Sequence, residues 1–371
     1  MSVLLAIETS CDETGAALLE EREGRPRLLS NVVATQHEFH ARFGGIVPEI
    51  AARRQVEVLE AVIAEALERA GKGFADLSAV AVVNGPGLIG SLVVGVSAAK
   101  AIALARKIPL VGVNHLEAHL YSNFLPEAGE EPKFPLLALI ASGGHAHLVL
   151  MSGHGRFEVV GRTRDDAAGE AFDKAGKLLG LEYPGGPALA ALGDTGNDRR
   201  FEFPVAEIEP ARPMAGRPAK APKRAWDFSF SGTKTALARL VREIAAEQLE
   251  KDKADLAAGF QRAVVRALVE TTLRAAEELE VESLAVAGGV ACNLRLRNEL
   301  RQRTQALGLS LHIPPAWLCT DNAAMVASAG YYKSRWQVAA ATCPTTQAAS
   351  PAGLDLDCYA SLALVNWGTG E

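Results

Sequence analysis

Residues 4–20, LLAIETSCDETGAALLE, decide the fold. The apolar run at 4–8 reads as a buried strand. TSCDETG at 9–15 gathers the small and polar residues that turn a chain, and 16–20 reads as the returning strand. Asp12 and Glu13 therefore stand on a strand–turn–strand device. The device returns mid-chain, where 134–141 is a strand, Ser142-Gly143-Gly144-His145 a tight turn and 146–151 the return. It recurs in part where a strand at 284–287 enters Gly288-Gly289-Val290-Ala291-Cys292-Asn293 ahead of a helix at 294–304.

Between these landmarks, 49–69 carries Val56, Leu59, Ile63 and Leu67 at helical spacing. A strand at 79–83 runs into Asn84-Gly85-Pro86-Gly87, then a small-residue helix at 92–106 and a buried strand at 110–113. The pattern predicts an α/β fold with two lobes of related topology, each a mixed sheet flanked by helices. The expected division is an N-terminal lobe over 1–118, completed by about 318–337, and a C-terminal lobe over 119–317. The latter carries a basic, proline-rich insertion at 199–235, and 338–371 reads as an irregular tail.

A chain of 371 residues, 49% hydrophobic, is long enough for about two domains. Its net charge of −6 argues against indiscriminate coating of nucleic acid but leaves room for a local basic patch. One candidate is 211–235, where Arg212, Arg217, Lys220, Lys223, Arg224 and Lys234 face only Asp227. The five cysteines are scattered and lack CxxC spacing, so neither structural zinc nor a disulfide framework is expected, and a reducing cytoplasm is the simplest setting. The N-terminus reads as a first strand, not a signal peptide. No uninterrupted apolar run reaches the ~18–20 residues that span a bilayer, so no membrane partner is expected.

The helix after Val113 carries the sharpest local signal. Asn114 can cap it, with Glu117 completing a capping box. His115 and His119 are i and i+4, one turn apart on one face, so both imidazoles can reach one ion; a surface pair is the alternative. They follow a buried strand, where open α/β folds place their sites. Asp321 opens a helix in TDNAAM at 320–325, either as its N-cap or as a third ligand. Two histidines and a carboxylate with open positions suit Fe(II) or Zn(II). A zinc peptidase fits poorly: in HExxH the glutamate follows the first histidine, whereas Glu117 lies about a hundred degrees further round the helix.

The Ser142-Gly143-Gly144 turn offers backbone N–H groups to phosphate or carboxylate oxygens, and Gly288-Gly289 lets a base lie against backbone; either is also simply a tight turn. Neither is followed by a Walker lysine, which excludes a P-loop NTPase. Asp165, Asp166, Glu170 and Asp173 are acids at helical spacing, as a solvated helix start would also have.

Taken together, AIETSCDETG (6–15), FGGIVPEIAAR (43–53), GPGLIGSLVVG (85–95), NHLEAHL (114–120), SGGH (142–145), DDAAGEAFDK (165–174), YPGGP (183–187), FSFSGTK (228–234), GGVACN (288–293) and TDNAAM (320–325) resemble the bacterial tRNA adenosine threonylcarbamoyltransferases of TsaD type, once labelled O-sialoglycoprotein endopeptidases. The resemblance runs from residue 4 to about 332; beyond Tyr332 the sequence departs from the family's usual ending. It implies the two-lobed fold of actin, Hsp70 and sugar kinases (the ASKHA class) with a cleft between the lobes. It also implies transfer of the threonylcarbamoyl group from threonylcarbamoyl-adenylate to N6 of adenosine 37 in tRNAs reading codons that begin with adenine, forming t6A and releasing AMP. The family's metal ligands fall on His115, His119 and Asp321. Its substrate contacts fall on Ile140, Ala141, Ser142, Gly143, Gly144, Asp173, Gly186 and Asn293. A TsaB-type paralogue and a TsaE-type ATPase are the implied partners. Asp12 or Glu13 is the candidate acceptor of the N6 proton. A sugar kinase of the same fold class stays open as an alternative. So does a non-catalytic paralogue, although such a scaffold is expected to lack the histidine pair.

Overall fold

The structure is a computed structural model and describes residues 3–206, 208, 226–341 and 353–368. Arg212, Arg217, Lys220, Lys223, Arg224 and Cys343 lie outside the described residues. The chain divides into two compact units. One comprises Met1–Glu131, His154–Arg156 and Pro314–Glu371; the other comprises Pro132–Gly153 and Phe157–Ile313.

In the first unit the strands are β1 (Val3–Glu8), β2 (Thr14–Arg22), β3 (Arg25–Ala34), β4 (Ala79–Gly85) and β5 (Leu110–Asn114), in sheet order β3-β2-β1-β4-β5. β1 pairs antiparallel with β2 and parallel with β4. All six residues of β1 are buried, and a strand covered on both faces reads as a continuous apolar run without alternation. The helices are α1 (His37–Ala41), α2 (Pro48–Ala70), α3 (Ile89–Arg106) and α4 (His115–Tyr121), joined from the far end of the chain by α10 (Ala316–Cys319) and α11 (Ala323–Ala341). Leu59, Val62, Ile63, Ala66 and Leu67 of α2 pack with Val3, Leu5 and Ile7 of β1 and with Ala16 and Leu18 of β2.

Several expectations need correction. Val56 is 67% exposed; the buried stripe of α2 includes Gln55 instead, for a reason that appears at the site. The return strand does not end at 20 but continues to Arg22 and turns into β3. Glu23 and Gly24, with φ of 54° and 79°, make the two-residue hairpin turn. That turn lacks the usual Asn-Gly or Asp-Gly signal, so nothing local in the sequence marks β3. The helix expected to open at Asp321 starts at Ala323 and runs on to Ala341, past the point near 338 where its pattern fades. α3 is 18 residues long and apolar enough to cross a membrane by composition alone. Its Val96, Ala99 and Ala103 belong to the core of the first unit, as expected of a core helix.

The second unit has β6 (Leu136–Ala141), β7 (Ala146–Gly153), β8 (Arg156–Arg162), β9 (Ser283–Ala287) and β10 (Ser310–His312). Their order, β8-β7-β6-β9-β10, repeats that of the first sheet strand for strand. Its helices are α5 (Ala168–Leu178), α6 (Gly185–Gly193), α7 (Ser231–Glu243), α8 (Ala246–Glu278) and α9 (Leu294–Leu307). α8, unread from the sequence, is 33 residues long and buries Phe260, Val264 and Leu268. The expectation of two related mixed sheets flanked by helices holds.

Candidate functional site

The site in the first unit starts at the carboxyl end of β1. Glu8 is fully buried there and accepts the Ser10 N–H at 2.5 Å. Gln55, the polar member of the α2 stripe, directs its side-chain amide to the carbonyls of Cys11 (3.0 Å) and Glu13 (3.1 Å), fixing the turn that carries the acids. The glycines of the 85–95 motif let the chain approach this turn closely. Leu88 N–H donates to Ser10 O at 2.8 Å, and a Cβ on Gly95 would lie 2.2 Å from Thr9 Oγ1.

β5 delivers the chain into α4. Asn114 caps this helix as expected, its Oδ1 accepting the Leu116 N–H at 2.9 Å. Glu117 does not complete a capping box; its Oε1 accepts the indole N–H of Trp367 at 2.7 Å, and its Oε2 lies 3.6 Å from Lys333 Nζ. His115 and His119 are both buried, with ring centroids 4.6 Å apart. Asp321 Oδ1 stands 3.2 Å from His119 Nε2 and 3.7 Å from His115 Nε2. Ligand atoms from the three residues all lie within 4.8 Å of one another. The cap of α11 is Asn322, whose Oδ1 accepts the Met325 N–H at 3.1 Å. The N-cap alternative for Asp321 therefore falls away.

The donor set fits a divalent ion. Two ligands each about 2.1 Å from one ion at tetrahedral or octahedral angles stand roughly 3.0–3.4 Å apart, and the Asp321–His119 separation falls in that range. His119 is fully buried, yet neither ring nitrogen has a well-directed hydrogen bond; the 3.2 Å approach of Asp321 is a charge contact only. His115 Nδ1 is 3.0 Å from Ser10 Oγ and 3.6 Å from Glu8 Oε2, the usual outer support of a metal-bound imidazole, while Nε2 is on the side of Asp321. Burial opposes a charge on His115, but Asp321 and Glu8 outweigh it and lift its pKa to about 9. The pocket thus favours positive charge. Glu8 and Ser10 went unread in the sequence as supporting groups; an acid closing an apolar strand was the available signal.

Asp12 and Glu13 lie near this set. His37 Nε2 is 3.3 Å from Glu13 Oε1 and 3.9 Å from Asp12 Oδ2, a third group the sequence reading did not select. Burial, then the charges of Asp12 and Asp321, push Glu13 up to about 9. A carboxyl so placed holds a proton near neutrality, as a proton-handling group does.

The remaining selected residues belong to the second unit. Ile140 and Ala141 end β6 and are buried; Ser142 N–H closes the turn onto His145 O at 2.8 Å. Gly143 and Gly144 are exposed on that turn. Asp173 Oδ1 accepts the Gly186 N–H at 2.7 Å, so the structure brings these two together. Asn293 caps α9 through Leu296 N–H at 3.0 Å. The single-turn segment Gly289–Cys292 packs against α5 and β6. Asp165 and Asp166 fasten the 228–234 motif: Asp165 Oδ1 accepts the Phe230 N–H at 2.8 Å, and Asp166 pairs with both Lys174 and Lys234.

The model of the family described as "TsaD: tRNA N6-adenosine threonylcarbamoyltransferase" matches residues 27–328. A relative of that name from Desulfitobacterium hafniense is 48% identical over 330 residues, covering 89% of this chain and 92% of its own. Another from Halalkalibacterium halodurans is 46% identical over 364 residues, covering 98% and 97%. Among solved structures, full-length HypF in its phosphate- and nucleotide-bound form aligns with 90% of this chain and 55% of its own, at a TM-score of 0.55 and 13% identity, a likeness of fold alone. Relatives this similar along nearly the whole length leave no room for the sugar-kinase alternative: the chain belongs to the tRNA N6-adenosine threonylcarbamoyltransferase (TsaD) family.

Proposed function

We propose that the chain moves the threonylcarbamoyl group of threonylcarbamoyl-adenylate onto N6 of adenosine 37 in tRNAs reading codons that begin with adenine, releasing AMP. The observation that carries this reading is the convergence of His115, His119 and Asp321 ligand atoms within 4.8 Å, in a chain whose family is named for that transfer.

The N6 amine is a weak nucleophile because its lone pair is delocalised into the ring. It attacks the carbamoyl carbon, the bond from that carbon to the phosphate oxygen breaks, AMP leaves with the electron pair, and N6 loses a proton. His115, His119 and Asp321 would hold a divalent ion, Fe(II) in first place and Zn(II) as the alternative, which when bound would supply Lewis-acid polarisation of the carbonyl. Of the two candidate acids, Asp12 or Glu13, Asp12 comes first as acceptor of the proton, because Glu13, pushed up to about 9, already holds one near neutrality. Ile140, Ala141, Ser142, Gly143, Gly144, Asp173, Gly186 and Asn293 hold the adenylate. Within the turn, Ser142 N–H is already used on His145, so the donors to an oxyanion are Gly143 and Gly144.

For the tRNA, the groove between α5 and α7 offers phosphate contacts. It encloses about 510 Å³ and is lined by Lys174, Lys177, Lys234, Arg239 and Arg242 over Leu178 and Ala238. Lys174 and Lys234 share Asp166, whereas Lys177, Arg239 and Arg242 make no ion pair among the described residues. A TsaB-type paralogue and a TsaE-type ATPase act alongside the chain in the cytoplasm.

The test is reconstitution with those partners, a synthase supplying the adenylate, and unmodified tRNA, followed by nucleoside analysis. His115→Ala and Asp321→Ala abolish t6A while circular dichroism stays that of the parent. Full product from either variant would remove the metal from the reaction, and absence of t6A with the parent chain would remove the reaction.

A further inference from the structure

α4 has only seven residues, far short of the ~12–15 at which an isolated helix begins to hold itself, so its position is imposed from outside. Part of that support comes from α11, where Ser328 Oγ donates to Tyr121 O at 2.8 Å. Packing on β4 and β5 adds to it, and further support comes from residues 353–368, which lie beyond the span 27–328 matched by the family model.

The tail follows the ends of β4 and β5 before it reaches α4. Leu356 packs on the core of the first unit; Asn84 Nδ2 donates to Asp357 O at 3.1 Å, and Tyr359 N–H donates back to Asn84 O at 2.8 Å. It then meets α4 at three successive points. At the cap, Asn114 Nδ2 donates to Ala363 O at 3.1 Å and Leu362 O at 3.3 Å. In the middle, the Trp367 indole N–H donates to Glu117, which is 2% exposed. At the end, the Trp367 ring stacks on Tyr121, with centroids 5.7 Å apart and planes 14° from parallel. Trp367 is itself seated: its backbone N–H donates to Gly155 O at 2.9 Å, and a Cβ on Gly155 would fall 2.2 Å from the ring.

We infer that the C-terminal segment is a strap that sets the position of α4, and that Trp367, through Glu117, is a positioning residue for the His115–His119 pair. Metal ligands tolerate displacements of only about 0.2 Å. A group that fixes the middle of a seven-residue helix bearing two ligands therefore governs how well both reach one ion. The Glu117 carboxylate is buried between the two histidines in sequence and has only Trp367 Nε1 and Lys333 Nζ among its described partners.

The inference rests on the reading of His115, His119 and Asp321 as metal ligands, and the test separates the two. Zn(II) affinity is measured by competition with a chromophoric chelator for the full-length parent, Trp367→Phe and Trp367→Ala, alongside the thermal midpoint of each metal-free protein. Trp367→Phe keeps the stack and loses the N–H, which guards against a Trp367→Ala protein that does not fold. The expected result is Zn(II) binding weakened about tenfold or more in Trp367→Phe, by the magnitude typical of outer supports of metal ligands. In the reconstituted reaction kcat falls while KM for tRNA holds. Trp367→Phe with a lowered midpoint but parental affinity and kcat would reduce the tail to packing and overturn the inference. A parent that does not bind Zn(II) or Fe(II) at all would overturn the metal reading beneath it.

Discussion

Replacing Glu8 with glutamine tests whether the buried acid behind His115 tunes the candidate metal centre. The substitution keeps shape and removes one charge. Glu8 is fully buried, its Oε1 accepts the Ser10 N–H, and its Oε2 lies 3.6 Å from His115 Nδ1. Two unit charges at that separation interact by about 1 kcal/mol in water and about 4.6 kcal/mol at an effective dielectric of about 20. Ser10 stays in place, the new amide can still bond, and a metal-bound His115 is neutral with the ion's charge beyond its ring, so the larger figure bounds the loss from above. Removing an outer partner of a ligating histidine lowers affinity about 10–100-fold, or roughly 1.4–2.8 kcal/mol, below that bound. The expectation is therefore a rise of about 10–100-fold in the Zn(II) dissociation constant of Glu8→Gln, read by chelator competition at neutral pH, with an anaerobic Fe(II) titration alongside. The metal-free variant should be less stable than the parent at neutral pH, since Glu8 helps hold a proton on His115 and that attraction is lost. Parental affinity in a folded Glu8→Gln protein would refute the electrostatic support.

In the α5–α7 groove, Lys177→Glu combined with Arg239→Glu should weaken tRNA binding. It should also flatten the dependence of log affinity on log salt by about one for each phosphate the groove no longer neutralises; an unchanged slope removes the groove from the tRNA path. Burial lowers the pKa of His154 to about 4, against about 6.5 unfolded, so the unfolded chain binds the extra proton between those values. The associated stability is complete above about pH 6.5 and is lost as pH falls toward 4. Because His154 is about one-third exposed and Glu131 lies 3.8 Å away, the loss is discounted to about 1–2 kcal/mol. Urea unfolding at pH 7.5 and pH 5 should show it in the parent and not in His154→Phe; equal acid losses in both would refute it. Gly95→Ala gains helix propensity of about 1 kcal/mol, but its Cβ would press on Thr9 at 2.2 Å, which costs about 1–3 kcal/mol. Net destabilisation in denaturant melts is expected, and a stabilised variant would mean that the first turn yields freely.

Legibility followed periodicity and burial. β1, β4 and β6 were readable because central strands buried on both faces are continuous apolar runs. β3, β8 and β10 were not, since their exposed positions break the pattern and the Glu23-Gly24 turn has no strong signal. The i, i+4 histidines of α4 were visible locally, whereas the contact of Asp321 with them spans about two hundred residues of sequence and came from resemblance. Glu117 shows the limit most clearly. Helix phase correctly turned it away from peptidase chemistry, but its partner Trp367 lies 250 residues on, in a stretch with no periodic signal.

The placement of unsatisfied groups links fold to function more directly than the ligand distances do. Some buried polar side chains near the site serve the backbone: the Gln55 amide fixes the first turn, Asn114 caps α4 and Ser328 holds its end. Others around the first turn and α4 have no such partner. Glu8 Oε2, Thr9 Oγ1, Glu13 Oε2, Thr14 Oγ1 and both nitrogens of His119 are buried without a hydrogen bond. Each such group costs about 1–3 kcal/mol; Gln36, His40 and Ser91 carry such atoms too, but the group around the first turn and α4 includes two acids and a histidine. Acids outnumber bases there: burial, then the charges of Asp12 and Asp321, raises Glu13 to about 9, and against the opposing effect of burial Asp321 and Glu8 raise His115 to about 9. Two protons are thus drawn into a pocket that one divalent cation would neutralise equally well. The metal-free pocket is a local conflict between burial and charge, and conflicts of this kind persist where a ligand resolves them. On this reasoning the strap over α4 and the Gln55 clamp have a common purpose: they hold in place a cluster that, without its ion, would tend to open to water.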